Sequence, residues 1–478
     1  MKRNKFSLSN YKLLSLDQGK LVPINIMEVL PGDTIQQSTS ALIRVSPLVT
    51  PVMHPVHVRI HHWFVPHRLV WDEWEDFITG GPNGTSTPTV PYRSGLTENV
   101  GALGDYLGVP TGVANLSPNF MPYRSYNLIW NEFYRDQDLE TELTVSKASG
   151  SDVTTDNVLK NVAWSKDYFT SARPWTQKGS EVTLPLGTTA PINYKTGNTP
   201  WLVKDSTDDA VEVSIDVNSD ASGNLVASGG PTLKLDPNGM LETDLTGATA
   251  ASINDLRESF ALQRYKEARA RYGSRYTEYL RYLGVKSSDA RLQRPEYLGG
   301  GRQTIQFSEV LQTGVDSSDA GVGSLKGHGI SAMRSNRYRK FFEEHGYIIS
   351  LMSVLPIPVY MQGLPKMYDR PTKEDYFQKE LQGIGQEAIK NKEIYAAHTT
   401  PEGTFGYQDR YDTYRRGENT VGGEFRTTLK NWHMAREFSS DPALNATFVS
   451  ANPTDRIYAS SSTHQLLVMA HHSVSARS

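Results

Sequence analysis

The stretch Val56-His-Val-Arg-Ile-His-His-Trp-Phe-Val65 decides the fold class. Extended backbone points successive side chains to opposite faces. The two faces of this run are Val58, Ile60, His62 and Phe64 on one side and His57, Arg59, His61 and Trp63 on the other. Both faces carry bulky groups, which predicts a β-strand that is covered on both sides.

Other short apolar or β-branched runs, broken by Pro and Gly, also predict strands. They are Leu21–Met27, Ala41–Val45, Gln303–Val310, Gly346–Leu355, Ile357–Met361, Glu424–Leu429 and Gln465–Met469. Helices are few: we expect Trp71–Phe77, Tyr126–Tyr134 and a long one from Ile253 to Leu283 that Gly284 ends. Strands joined by long connections favour an antiparallel sandwich over an alternating βα fold.

Composition excludes several classes of protein. The chain has 478 residues, with 49 Lys and Arg against 52 Asp and Glu, a net charge of −3. That balance excludes a wholesale basic nucleic-acid binder but leaves room for a local basic face. The absence of cysteine excludes disulfide scaffolds, Cys-bound zinc, iron–sulfur sites and thiol nucleophiles. The 24 Tyr and 8 Trp suit broad protein interfaces.

Neither a targeting signal nor a membrane span is expected. The basic N-terminus, Met1 to Phe6, has no apolar segment behind it, so no secretory signal is predicted. The longest apolar run, Ile348 to Leu355, is too short to cross a bilayer.

Residues 140–250 differ from the rest of the chain, because charged residues, Ser, Thr, Gly and Asn dominate there. Residues 201–250 carry nine acids and two lysines. The alternation from Val211 to Val217, followed by a polar run to Asn224, predicts a solvated β-hairpin. We therefore expect an N-terminal part of the sandwich over 1–139 with an N-terminal arm, a polar surface insertion over 140–250, and the long helix with the remaining strands over 251–478.

Two groups of residues have the types that catalysis or metal binding needs. Five histidines cluster between His54 and His67, and a metal ion bridging His57 and His61 is one interpretation, with core or interface histidines the other. Trp71-Asp-Glu-Trp-Glu-Asp76 sets carboxylates beside aromatic rings, as glycosidases do, although a solvated helix face explains it as well. A phosphate-binding loop and a nucleophile elbow are both absent from the sequence.

Basic residues cluster in two places. One is a row on the long helix, Arg257, Arg264, Arg271 and Arg275, and the other is the run Arg334, Arg337, Arg339 and Lys340, which surrounds a tyrosine. Cations with interleaved aromatics suit contact with phosphates and stacking on bases. Ion pairs across subunit interfaces explain the same pattern equally well.

Several stretches together resemble the major capsid protein of the Microviridae, the small single-stranded DNA bacteriophages, and are most similar to its gokushovirus-type members. The matching stretches are Glu28–Asp33, Pro51–His54, Trp63–Pro66, Trp71–Gly81, Tyr126–Gln137, Arg271–Arg275, Ser287–Gly300, Phe342–Gly346 and Tyr360–Pro365. They run in order along the chain, which makes the match specific.

The resemblance implies an eight-stranded antiparallel jelly roll with long inter-strand loops. It implies sixty copies in a T=1 icosahedral shell around circular single-stranded DNA, with the acidic segment 183–250 as the candidate threefold protrusion that contacts a host receptor. A minor DNA pilot protein and a small basic DNA-binding protein are further expected partners. The expected location is the virion, assembled in the host bacterial cytoplasm.

The sequence therefore predicts a structural protein without catalysis, cofactor or metal. The four basic residues from Arg334 to Lys340, with the arginine row of the long helix, are the candidate contacts to DNA phosphates or to neighbouring subunits. The alternatives are a secreted jelly-roll protein that binds or degrades glycans through Trp71, Trp74 and their acids, and a metal enzyme that uses the histidines.

Overall fold

The computed structural model describes residues 4–180, 182, 192–194, 203–205, 217–219, 225–227, 233–235, 241–243, 253–272, 278, 281–284, 293–311, 313 and 324–478. The strands are β1 Lys5–Ser7, β2 Asn10–Leu16, β3 Val22–Val29, β4 Thr34–Val45, β5 Val56–Pro66, β6 Ile192–Tyr194, β7 Val203–Asp205, β8 Val217–Ser219, β9 Leu225–Ala227, β10 Leu233–Leu235, β11 Leu241–Thr243, β12 Glu296–Thr304, β13 Gln306–Leu311, β14 Leu325–Arg334, β15 Tyr338–Phe341, β16 Gly346–Pro356, β17 Gln386–Lys390, β18 Thr404–Asp409 and β19 Leu466–Arg477. The α-helices are α1 Trp74–Thr79, α2 Leu103–Leu107, α3 Met121–Phe133, α4 Ile253–Tyr272, α5 Asn391–Ile394 and α6 Ala446–Val449. Single 3₁₀ turns occupy His67–Leu69, Lys366–Tyr368, Lys373–Asp375, Lys379–Leu381, Asp412–Tyr414, Gly423–Arg426 and Lys430–Trp432.

Two antiparallel sheets form the sandwich. The four-stranded sheet has the order β12-β5-β16-β3. The seven-stranded sheet has β2-β19-β4-β14 as its central part, and β1, β13 and β15 extend it. The chain passes between the sheets from β2 to β5, stays in the four-stranded sheet for β12, and then enters the seven-stranded sheet at β13, as in a jelly roll built from two Greek keys. The prediction of a mainly β jelly roll is confirmed, whereas the two sheets together contain eleven strands instead of the eight that the resemblance implies.

Strand β5 is covered on both sides, as the alternation of its sequence predicts. Val58, Ile60, His62 and Phe64 are at most 1% exposed in the sandwich interior. On the other face, Trp63 stacks on Phe133 at the end of α3, with 4.0 Å between ring centroids. Helix α3 starts five residues before the expected position, because Pro122 is tolerated in its first turn.

A buried polar network crosses between the two sheets. On β5 of the four-stranded sheet, His62 has its Nδ1 2.7 Å from Ser350 Oγ and its Nε2 3.1 Å from Ser335 Oγ. The same Ser335 oxygen accepts the backbone N–H of Thr39, on β4 of the seven-stranded sheet, at 2.8 Å. Thr39 Oγ1 lies 2.9 Å from Nδ1 of His472. Burial lowers the pKa of His62 to about 3 and that of His472 to about 4, so both rings are neutral near pH 7.

A buried ion pair fixes helix α3 to the loop that follows it. The guanidinium of Arg124 donates from Nε to Asp152 Oδ2 at 2.7 Å, and both side chains are almost completely buried. Its other nitrogens donate to the carbonyls of Val70 and Ala148, each at 2.9 Å. Asp152 also accepts the backbone N–H and the hydroxyl of Thr155. The pair is therefore both neutralised and fully hydrogen-bonded.

Two of the expected strands are not formed, and the expected start of a second helix is also wrong. Glu424–Leu429 contains a 3₁₀ turn, Gly423–Arg426, and Ile357–Met361 forms only isolated bridges at Tyr360. Helix α1 begins at Trp74, three residues after the expected start. Sequence reasoning also missed β2 and β14, which belong to the central part of the seven-stranded sheet.

The chain divides into two compact units. One comprises Met1–Thr176 and Ala270–Ser478, and the other comprises Gln177–Arg269. In the second unit, β8 pairs antiparallel with β9, so a hairpin exists there, although most of its expected first strand, 211–216, lies outside the described residues. Gly284, which we expect to end the long helix, has the left-handed φ of 80° that a helix end requires.

No helix in the described ranges is both long enough and apolar enough to cross a bilayer.

Candidate nucleic-acid interface

Three of the predicted arginines lie together at one corner of the seven-stranded sheet. Arg334 ends β14, Arg337 lies in the turn, and Arg339 is on β15. Both strands pair with β4, Arg334 opposite Ser40 and Arg339 opposite Gln36. All three side chains are exposed, and they form no ion pair within the described part of the chain. The corner therefore presents uncompensated positive charge to its surroundings.

The fourth member of this run, Lys340, has a different role. Its Nζ lies 2.7 Å from Glu296 Oε1, on β12 of the four-stranded sheet. Tyr338 between the arginines is 8% exposed, and its hydroxyl donates to Gln37 Oε1 at 2.7 Å. The tyrosine that sequence reasoning offered for base stacking is thus part of the interior.

The arginine row of the long helix is not one site. Arg257 and Arg264 are exposed on α4. Arg271 lies 3.2 Å from Asp409 Oδ1, and Arg173 lies 3.3 Å from the same oxygen. Arg275 lies outside the described residues. The ion pairs occupy Arg271 within its own chain.

The histidines between residues 54 and 67 each have a separate place in the fold. His54 Nε2 lies 2.8 Å from the carbonyl of Ile357, and His57 Nδ1 lies 3.0 Å from Thr304 Oγ1. His61 Nδ1 lies 2.7 Å from the hydroxyl of Tyr134. Burial lowers the pKa of His54 and of His61 to about 4. Within the described ranges, no group of three acidic or histidine side chains is arranged to hold a metal ion.

The tryptophans of the run around α1 line a small cavity of about 170 Å³, but none of the carboxylates of the run lines it with them. Trp71 is completely buried, and its Nε1 donates to Ser149 Oγ at 2.7 Å. Asp72, Glu75 and Asp76 are exposed around the start of the short helix, as the solvated-face interpretation predicts. The paired carboxylates that a glycosidase needs across a cleft are not provided by this segment.

Sequence reasoning missed Arg44 and Arg477, which lie on the same sheet as the arginine corner. Each is exposed on its strand, and each is an isolated cation in its run of sequence. The only signal that could have found them is the alternation of exposed and buried residues on β4 and β19.

Comparison with known proteins identifies the class to which this architecture belongs. The family model described as "Capsid protein (F protein)" matches residues 1–477. The chain is 39% identical to capsid protein VP1 of Bdellovibrio phage phiMH2K over 95% of its length and 89% of that protein. It is 33% identical to capsid protein VP1 of Chlamydia phage 1, covering 96% of the chain and 91% of the relative. It is 30% identical to capsid protein VP1 of Spiroplasma virus 4, covering 98% of the chain and 92% of the relative.

A jelly roll with long connecting loops, matched over 95–98% of its length to phage VP1 proteins, is a structural subunit of a virion. The chain belongs to the capsid (F) protein family of the Microviridae, with gokushovirus-type proteins as its relatives.

Proposed function

We propose that sixty copies of this chain close into a T=1 icosahedral shell. The observation that carries the proposal is a group of exposed apolar side chains on the connection between β16 and β17. They are Met367, Tyr368, Tyr376, Phe377 and Ile384, which are 49–70% exposed. Tyr, Phe and Met beside an arginine are the residues that protein interfaces favour, and Arg370 lies 4.0 Å over the ring of Tyr414 nearby.

Assembly tests this proposal directly. Sedimentation and electron microscopy of the purified wild-type chain should show closed shells. Ile384→Asp places a charge in the exposed group and should leave the protein folded but unassembled. Val153→Asp, at a valine that is 74% exposed elsewhere, is the matched control and should still form shells. Shells from Ile384→Asp, or a wild type that stays monomeric at high concentration, would contradict the proposal.

We propose further that the shell encloses a circular single-stranded DNA genome and that the arginine corner contacts its phosphates. Arg334, Arg337 and Arg339 support this proposal because they are exposed and without an ion-pair partner within the described residues. Arg257 and Arg264 on α4 are further candidates, whereas Arg271 is paired with Asp409. Changing the three corner arginines to Ala should lower the DNA content of shells that still close. Unchanged DNA content would refute this assignment.

The acidic segment 183–250 is our candidate for a surface protrusion that contacts the host. Nine acids in 201–250 keep such a segment hydrated and repel other copies of itself. Particles with Asp208, Asp209 and Glu212 changed to their amides should keep their sedimentation rate and lose adsorption to host cells. We expect a DNA pilot protein and a small basic protein as further virion components, and assembly in the bacterial cytoplasm.

A further inference from the structure

The cavity beside helix α1 lies on the side of the four-stranded sheet that faces away from the sandwich interior. Tyr347 of β16 lines it and lies opposite Val65 in the register with β5, on the face that also carries Trp63. The cavity has a volume of about 170 Å³. An apolar cavity of about 150 Å³ is large enough to hold one benzene ring. The space next to α1 therefore has the size of a single six-membered ring.

Aromatic side chains form much of the wall of this cavity. Trp71, Trp74, Phe77 and Tyr347 all line it. Trp71 is completely buried and Tyr347 is 5% exposed, so these two rings lie at its inner end. The rings of Trp71 and Phe77 are tilted by 46° with 4.9 Å between their centroids. Aromatic pairs prefer such tilted and offset contacts, so a wall of rings at different angles suits a further flat ring.

The mouth of the cavity is at the protein surface. Leu30, just after β3, is 55% exposed, and Phe77 on α1 is 38% exposed, while both side chains line the cavity. A small molecule can therefore enter between the end of β3 and α1 without unfolding either element.

One polar atom in this wall lacks a hydrogen-bond partner. His67 is 6% exposed, and its Nδ1 is buried without a partner in the described part of the chain. The imidazole contacts the rings of Trp74 and Tyr347 edge to face, with 4.5 Å between centroids in each case. Burial lowers the pKa of His67 to about 4, so this ring is neutral near pH 7. Buried polar atoms are normally paired, and a hydroxyl group can pair with either tautomer because it both donates and accepts.

We propose that this cavity binds a small phenol, with its ring among the aromatic side chains and its hydroxyl group hydrogen-bonded to Nδ1 of His67. The other polar side chains of the wall, Glu28, Asn119 and His345, are not buried. A sugar would therefore leave most of its hydroxyl groups unpaired at the apolar inner end. An aliphatic or purely hydrocarbon guest would leave the histidine nitrogen unpaired. The proposal goes beyond the proposed function, because neither a shell nor a genome enters the argument.

The first test titrates the full wild-type chain with p-cresol and, separately, with toluene by isothermal calorimetry. p-Cresol should bind at one site per chain with a Kd below about 1 mM. Toluene has the same ring and methyl group without the hydroxyl, so it should bind about tenfold more weakly. Absence of saturable p-cresol binding would overturn the proposal, and equal affinity for the two ligands would overturn the assignment of a phenol.

A pair of matched variants shows where p-cresol binds. Val90→Phe enlarges a side chain that lines the cavity and should abolish binding by filling the space. Val109→Phe makes the same change in the same hydrophobic cluster, at a residue that does not line the cavity, and should bind p-cresol as the wild type does. Circular dichroism shows that both variants are folded. Undiminished p-cresol binding by folded Val90→Phe would refute the site.

His67→Phe tests the hydrogen bond separately from the space. A phenylalanine keeps a ring at this position and removes the nitrogen, so p-cresol should bind about tenfold more weakly while the affinity for toluene is unchanged. An unchanged affinity for p-cresol would contradict the role of His67. If this variant does not fold, the comparison of the two ligands on the wild type decides the point. A wild type that forms no shells would refute the proposed function but not this inference, since binding is measured per chain.

Discussion

Asp152→Ala should destabilise the region around helix α3 by about 3–5 kcal/mol, because it leaves the guanidinium of Arg124 buried without a counter-ion. The magnitude follows from the geometry: Arg124 is 0% exposed and its pair with Asp152 is 2.7 Å long. A water molecule in the vacated space could accept hydrogen bonds but would not neutralise the buried guanidinium. The same carboxylate also accepts two hydrogen bonds from Thr155, whose donors would lose their partner.

The double variant Arg124→Met with Asp152→Ala tests the reasoning more closely. Removing both charges takes away the unpaired ion, so the double variant should be more stable than the sum of the single effects predicts. Lys160→Met is the matched control, because the pair between Lys160 and Asp156 is partly exposed. Loss of a pair of that kind costs about 1 kcal/mol or less.

Amide hydrogen exchange is the appropriate assay, since a chain with two compact units need not unfold in one step. The opening free energy reported by the backbone amide of residue 124, which donates to the carbonyl of Phe120 and not to Asp152, should fall by about 3–5 kcal/mol in Asp152→Ala. A fall below about 1 kcal/mol, or strict additivity in the double variant, would refute the account of the pair.

Three other outcomes follow from the sandwich and its loops. Burial lowers the pKa of His62 to about 3, whereas the value in the unfolded chain is about 6.5. The unfolded chain therefore binds a proton at this histidine first, so the free energy of unfolding falls as the pH drops below 6.5 and is about 3 kcal/mol lower at pH 4. His62→Gln should therefore lower the midpoint of acid unfolding followed by tryptophan fluorescence, and an unchanged midpoint would contradict this. Gly363→Ala places a Cβ about 2.0 Å from the carbonyl oxygen of Glu393, so its subunits should melt at a clearly lower temperature in calorimetry. Tyr134→Phe removes the hydroxyl that bonds half-buried His61 and accepts from the indole of buried Trp63, and it should cost about 1–3 kcal/mol in denaturant unfolding; no change would show that these hydrogen bonds contribute nothing.

The sequence predicts a strand best where side chains alternate between its two faces without interruption. Strand β5 is recognised because its alternation continues over ten residues, Val56 to Val65, and both of its faces are bulky. Strand β14 is hidden because Gly327 and Gly329 interrupt its pattern. Both glycines are required by packing: a Cβ would lie 2.6 Å from the carbonyl oxygen of Thr50 at the first and 2.6 Å from Val45 at the second. Such close contacts come from residues distant in sequence, which no local pattern contains.

The candidate site was predictable only where its residues are neighbours in sequence. Arg334, Arg337 and Arg339 form a visible cluster, and the structure places them at one corner. Arg44 and Arg477 lie on the same sheet as these three arginines, but only the pairing of β4 with β19 brings their strands together. The run 424–429 shows the opposite error, since it has strand-like composition but no neighbouring strand to pair with.

The strand order of the wider sheet has a consequence for how a subunit is made. Strand β19 lies between β2 and β4, so β2 gains its partner only when β19 has left the ribosome. Until then β2 exposes unpaired amides and carbonyls that invite pairing with other nascent chains. The seven-stranded sheet is therefore completed after synthesis of the chain rather than during it, and only polypeptides that have been translated through residue 477 can form the whole sheet that carries the arginine corner.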